Sequence, residues 1–165
     1  MRAIVVALAL AVAASAFADV TMLRFTFKVP PEWTDKSPSS HAVSIFVDTN
    51  KGMVFNASVS EGGDAVDDKF LDKFAADSIA SFKKMLPDGT MSVRKKEKVT
   101  IAGIGCARFE YDTNPGADKD AVRQLVFYIP VEKQHARLTY TTTPDKFAGA
   151  VPLFEKLARA TKIAP

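Results

Sequence analysis

Residues 23–33 read LRFTFKVPPEW, and this stretch decides how the fold begins. Apolar and polar residues alternate strictly from Leu23 to Val29, which is the pattern of a β-strand with one buried face. Two prolines end the strand, because proline has no backbone N–H to donate to a neighbouring strand. Trp33 follows in the predicted turn, where its large ring can cover the edge of a core. The stretch therefore predicts a half-buried strand that leads into a sheet.

The rest of the sequence predicts six further strands and two helices. The predicted strands span 42–48, 53–60, 91–101, 106–112, 122–130 and 135–142, and the helices span 66–86 and the segment from Thr143 onward. Adjacent short strands without intervening helices pair in the antiparallel sense. The predicted fold class is therefore α+β, with an antiparallel sheet of six to seven strands, two main flanking helices and the order βββ-α-ββββ-α.

Both helices carry start signals. Asp67 and Asp68 open the first helix, where carboxylates stabilise the exposed backbone N–H groups, and we prefer this interpretation to a catalytic or calcium-binding acid pair. Thr143 is the predicted N-cap of the second helix and Pro144 its first residue. Pro152 should kink or split that helix. The first helix has apolar residues at helical spacing, namely Phe70, Leu71, Phe74, Ile79, Phe82, Met85 and Leu86.

Several short motifs together resemble the PsbP/DcrB/Mog-type fold family. They are FKVPPEW at 27–33, IAG at 101–103, FEY at 109–111 and the closing segment 142–157, along with the helix after the third strand. The resemblance covers most of the chain after residue 18. It implies an antiparallel sheet flanked by helices and, usually, an accessory or binding role without catalysis. Members of such a family differ widely in partner, so the fold alone does not name a function.

Residues 1–18 are interpreted as a cleavable secretory signal peptide. Ala16 and Ala18 form the small-residue pattern that signal peptidase recognises, after an apolar run that is shorter than the roughly 20 residues of a membrane-spanning helix. Asp19 follows the site instead of the cysteine that lipid attachment requires. We therefore expect cleavage between Ala18 and Asp19 and a periplasmic or secreted product, residues 19–165, that forms a single domain without a transmembrane segment.

The sequence contains few residues suited to catalysis or metal binding. His41 and His135 are the only histidines, and neither has another histidine or cysteine at ligand spacing, so we predict no metal site and no cofactor. No GxSxG or phosphate-binding loop is present, and the chain is predicted not to be an enzyme. Cys106 is the single cysteine. It is either a small buried residue or an exposed thiol that could link two chains.

Charge gives weak guidance about partners. The net charge is only +3, and a nucleic-acid partner is not expected. Residues 94–98, RKKEK, are the strongest charged run. They are typical of an edge strand protected against aggregation, although an acidic partner or a membrane surface is the alternative.

Strand alternation predicts one apolar and one mainly basic sheet face. The predicted apolar face contains Leu23, Phe25, Phe27, Val43, Ile45, Met53, Phe55, Phe109, Tyr111, Leu138 and Tyr140. Apolar residues occur in both phases at Val122, Leu125, Val126, Phe127 and Tyr128, so at least one strand should be covered on both sides. An exposed basic margin is expected at Arg24, Lys28, Arg108 and Arg137, which is either merely solvated or binds an acidic partner. Reversing the charge at the last two should weaken partner capture while leaving the melting temperature nearly unchanged.

The favoured function is an exported, non-catalytic accessory or binding protein that acts through a protein or envelope component. The alternative is a carrier that holds a small apolar ligand between the sheet and the helices, which would use some of the twelve phenylalanines. A hydrolase without a recognisable motif is the third hypothesis. The expected oligomeric state is a monomer or a weak dimer.

Overall fold

The computed structural model describes residues 17–38, 43–117 and 119–165. Most of the predicted signal peptide, and also His41, lie outside these residues. The elements in chain order are β1 (Ala18–Met22), β2 (Phe25–Val29), β3 (Thr34–Asp35), β4 (Val43–Asp48), β5 (Met53–Glu61), α1 (Asp68–Met85), β6 (Thr90–Ile101), β7 (Ile104–Asn114), β8 (Val122–Val131), β9 (Gln134–Thr142), α2 (Pro144–Arg159) and β10 (Lys162–Ile163).

Seven strands form one antiparallel sheet in the order β3-β4-β5-β9-β8-β7-β6. The predicted α+β class and the order of its main strands and helices are confirmed. The sequence does not predict β3, because its two residues are too few to show an alternating pattern. β6 lies at the edge of the sheet and contains residues 94–98, which agrees with the edge-strand interpretation of that charged run.

The first predicted strand lies in a second, three-stranded sheet of order β1-β2-β10, so the prediction of one common sheet is wrong at this point. Leu23, predicted to face the core, lies instead in the turn between β1 and β2, with φ of 53° and 69% of its surface exposed. The alternation does not pass through this turn. Phe25 and Phe27, which follow it in β2, are buried as predicted.

One face of the main sheet packs against both α2 and the small sheet. Phe55 of β5 and Phe154 of α2 both stack on Tyr140, with ring centres 4.7 and 4.9 Å away. The helix is not split at Pro152, because this residue lies on the exposed side, where the backbone carbonyl that proline leaves unbonded can reach water. No helix among the described residues is long and apolar enough to span a bilayer.

The other face of the sheet packs against α1 over β7 and β8. Phe109 and Tyr111 belong to this second core, so their predicted place beside Leu138 is wrong. The strand register gives the reason. Phe109 pairs with Val126, whereas Leu138 pairs with the next residue, Phe127, and successive residues of a strand point to opposite faces. β8 is therefore covered on both sides, as predicted.

The phase of β4 also differs from the prediction. Ile45 pairs with Asn56, and Val43 with Ser58, on the face of the sheet that carries polar side chains. Phe46, paired with Phe55, faces the core between the main sheet and α2 instead. Alternation defines two sets of residues in a strand, and pairing with the neighbouring strand decides which set is buried.

Candidate binding groove along helix α1

Helix α1 leaves a channel between itself and the neighbouring strand β9. We call it the α1 groove and define it by Phe74, Ser78, Phe82, Gln124 and Arg137. Two adjoining cavities of about 220 and 340 Å³ make up the channel, and Phe74 lines both. The groove lies on the sheet face opposite α2.

The wall contributed by α1 is an apolar stripe with one serine. Phe70, Phe74, Ser78 and Phe82 recur every four residues, which places them along one side of the helix. The sequence predicts the phenylalanines of this stripe as core, yet only Leu71 and Ala75 of α1 are fully buried. Met85 at the end of the groove is 72% exposed. The apolar face of α1 is thus wider than the part that the sheet covers.

Local interactions fix the helix that carries this wall. The Asp67 carboxylate accepts a hydrogen bond of 2.6 Å from the backbone N–H of Phe70, which confirms the predicted helix start. Farther along, Lys73 and Asp77 form an ion pair of 2.6 Å one turn apart. Asp77 lines both cavities and Lys73 only the first. The rim of the groove therefore carries this ion pair, and the carboxylates of Glu61 and Asp64 also line the first cavity.

Arg137 of β9 is a cation of the second cavity that forms no salt bridge with a described residue. Its guanidinium lies 5.6 Å from the ring centre of Phe74, a cation–π contact. No described carboxylate forms a salt bridge with it. Burial lowers the pKa of Arg137, although the nearby Tyr111 hydroxyl acts in the opposite direction. An arginine remains protonated under such conditions, so the groove holds a partly dehydrated positive charge that an anionic group would stabilise.

Other polar groups around Arg137 also have unused bonding capacity. The Tyr111 hydroxyl is buried without a hydrogen bond of normal geometry to any described residue. Burial raises its pKa, and this rise is opposed by the proximity of Ser78 and Arg137. The side chains of Gln124 and Ser81 make no hydrogen bond within the described part of the chain. Groups of this kind can bond to a ligand without first breaking an internal contact.

The first cavity has a rigid rim. The ring of His135 lies 4.8 Å from that of Tyr128, and its Nδ1 contacts the carbonyl of Gly62. The backbone N–H of Asp64 donates to the Tyr128 hydroxyl over 3.0 Å. Gly62 donates to the carbonyl of Lys133 over 2.6 Å. These bonds hold the loop before α1 against the turn between β8 and β9.

Arg108 has a different environment and is not on an exposed margin. It is only 4% exposed, because the end of α2 covers it. Its guanidinium contacts Glu97 at 3.0 Å, Glu110 at 2.8 Å and Glu155 at 3.2 Å. The expectation of an exposed Arg108 is therefore wrong. This arginine connects β6, β7 and α2 within the structure.

Lys28 belongs to β2 of the small sheet, and Arg24 lies in the turn that precedes β2. Arg24 pairs with Glu132 at 2.9 Å and donates to the carbonyl of Ala164. Lys28 pairs with Asp19. Because Lys28 lies on a separate sheet, Arg24 is paired in a turn and Arg108 is buried, the four predicted residues do not form one surface. Only Arg137 lies in the α1 groove.

Cys106 is fully buried, so the first of its two interpretations is confirmed. Its thiol donates to the carbonyl of Ile104 over 3.2 Å, and burial raises its pKa to about 11. Among residues 17–38, 43–117 and 119–165, no three His, Cys, Asp or Glu side chains are grouped so as to hold a metal ion.

Comparison with known proteins identifies the fold. No protein-family model and no curated protein matches the sequence. Among solved structures, the cyanobacterial PsbP (CyanoP) of Synechocystis sp. PCC 6803 aligns with a TM-score of 0.73 at 13% identity, over 93% of this chain and 95% of that one. The Ran-binding protein Mog1p of Saccharomyces cerevisiae aligns with a TM-score of 0.59 at 11% identity, over 90% and 96%.

A third similar structure is LpqN, which is involved in cell envelope biogenesis of Mycobacterium tuberculosis. It aligns with a TM-score of 0.55 at 20% identity, over 86% of this chain and 83% of that one. At these identities the likeness concerns the fold alone. The chain has the fold shared by PsbP and Mog1.

Proposed function

We propose that this protein is an exported, non-catalytic accessory protein that binds an acidic group of a protein partner in the α1 groove. The observation that carries the proposal is Arg137, a half-buried arginine without a described carboxylate partner. A partner carboxylate would form a charge-assisted hydrogen bond there, and such bonds are stronger than neutral ones. Of the four basic residues predicted as a binding margin, only Arg137 is proposed to bind the partner. Arg24, Lys28 and Arg108 are not.

The fold supports a binding role by analogy. Mog1p is described as Ran-binding, and LpqN is involved in cell envelope biogenesis. The carrier hypothesis has less support, because the phenylalanines between sheet and helices pack against one another. Phe55, Tyr140 and Phe154 form a continuous stack, and Phe74 stacks on Phe109 at 4.9 Å. Their abundance is explained by packing.

The binding proposal is tested by the variant Arg137→Glu, with Lys84→Glu as the matched control. Lys84 is an exposed lysine of α1, so its variant makes the same charge change outside the groove. Partners retained from host extract by the wild-type protein are identified by mass spectrometry, purified and titrated. We expect Arg137→Glu to weaken binding of the identified partner at least ~10-fold, or about 1.4 kcal/mol. Lys84→Glu should change the affinity for that partner little. If the partner binds both variants with equal affinity, the α1 groove is not its binding site.

The export part of the proposal rests on the pattern that ends at Ala18. The β-sheet pairing continues past this site, and the ion pair between Asp19 and Lys28 would remain after cleavage. We expect the protein recovered from the periplasm or medium to have a mass that begins at Asp19. An exported protein that retains its first residue would contradict this cleavage site.

A further inference from the structure

The α1 groove contains two binding positions in a row, and they follow the repeat of a β-strand. His135 lines the first cavity and Arg137 the second. Both belong to β9, and two residues along a strand correspond to about 6.6–6.8 Å. The facing stripe on α1 advances by about 6 Å for every four residues, so its side chains are spaced at nearly the same interval. Both walls of the groove therefore have the same repeat.

That repeat is also the repeat of an extended peptide. Side chains at alternate positions of an extended chain point to the same side, about 6.6–6.8 Å apart. One such side chain would enter the cavity of about 220 Å³, where the rings of Phe70, Phe74 and Tyr128 offer an apolar contact. The carboxylates of Glu61, Asp64 and Asp77, which also line this cavity, disfavour an acidic side chain there. The second would reach Arg137, which favours a carboxylate. The two cavities thus select different side chains.

The polar groups of the groove favour a peptide over a simple acyl chain. The amide of Gln124 can both donate and accept hydrogen bonds, and the hydroxyl of Ser81 can do the same. Such groups match the N–H and C=O groups that an extended peptide exposes along its edges. A hydrocarbon chain would leave both of them unbonded and dehydrated, at a cost in free energy.

We infer that the α1 groove binds a short extended segment of a protein partner, with an acidic residue at Arg137 and a large apolar residue two positions away in the first cavity. The inference rests on the proposed function and specifies its ligand. It requires no change in the backbone of the groove, because the rim of the first cavity is fixed by the hydrogen bonds of Gly62 and Asp64.

The inference is tested with acetylated and amidated peptides titrated into the isotope-labelled full chain and followed by NMR. The probes are SAFSDAS and its reversed order SADSFAS, which carry the required spacing. The controls are SAFSNAS, which lacks the charge, and SAFDSAS, in which the two residues are adjacent. We expect at least one of the two probes to bind at least ~10-fold more tightly than both controls. Binding should disappear in Arg137→Glu and persist in Lys84→Glu.

Equal binding of probes and controls would overturn the inference. The inference would also be overturned if decanoate bound in an Arg137-dependent manner while the peptides were not distinguished from one another. That result would identify a small amphiphile as the ligand. If no peptide binds but Arg137→Glu still abolishes binding of the purified partner, the extended-segment inference is wrong and the binding proposal is retained. If neither the peptides nor the partner depend on Arg137, both fail. A thermal melt of each variant shows whether the fold is retained.

Discussion

At the scale of single residues, two arginines of the main sheet, on β7 and β9, have opposite roles. Arg108 and Arg137 were indistinguishable by residue type and strand phase, and both were predicted to be exposed. The structure places Arg108 among three glutamates under α2 and leaves Arg137 half-buried without a described carboxylate. Sequence could not separate them, because the difference depends on which helix covers which face. That information lies in long-range packing.

The stability of the fold should depend on Arg108. Replacing it in Arg108→Ala leaves Glu97, Glu110 and Glu155 close together without their cation. We expect a loss near the lower end of the roughly 3–5 kcal/mol seen when a buried pair loses one partner, because the carboxylates are partly solvated. The matched variant Arg94→Ala removes an exposed pair with Asp112 and should cost at most about 1 kcal/mol. Urea unfolding measures both, and equal losses would contradict this role.

The buried thiol predicts a specific pH dependence. The pKa of Cys106 is about 11 when folded, against 9.0 for an ordinary thiol, because burial disfavours the thiolate. This difference contributes stability in full below pH 9, and the contribution is lost as pH rises toward 11, since the unfolded chain releases the proton first. The stability difference between wild type and Cys106→Ala should therefore fall by about 1–2 kcal/mol between pH values of about 8 and 10.5. An unchanged difference would mean that the thiol is not held neutral.

At the scale of elements, α1 and α2 use their apolar faces differently. α2 buries Phe147, Phe154 and Leu157, together with two alanines. In α1 only Leu71 and Ala75 are buried, and Phe70, Phe74, Phe82 and Met85 line the groove. The periodicity of α1 predicted the helix and its apolar side correctly. It could not show that the sheet covers only part of this apolar side, and the uncovered part lines the groove.

The start of α1 should matter more than the start of α2. Asp67 accepts a hydrogen bond from Phe70, whereas the Thr143 side chain makes no capping bond and Pro144 already presets the first turn of α2. We expect Asp67→Ala to lower the free energy of unfolding by about 1 kcal/mol, and Thr143→Ala to lower it by less. Thermal or urea unfolding of the two variants provides the comparison. A larger loss for Thr143→Ala would contradict this capping assignment.

At the scale of the whole molecule, the order of strands and helices could be predicted, but the division into two sheets could not. β1 begins at Ala18, within the predicted signal segment, and β10 is only Lys162–Ile163. Neither gives a periodic pattern that can be recognised. Without its two neighbours, β2 could only be assigned to the main sheet. The predicted single surface of four basic residues is wrong partly for this reason and partly because Arg108 is buried.

The central claim is that the partner occupies the α1 groove, and photo-crosslinking in the host tests it most directly. A photoreactive benzoylphenylalanine is placed at Ser81 in the groove or, as a control, at Ala148, an exposed residue of α2 on the opposite face of the main sheet. We predict a protein adduct from position 81, none from position 148, and loss of the adduct when Arg137→Glu is added. Adducts from position 148 alone, or an adduct at 81 that is unaffected by Arg137→Glu, would contradict the account.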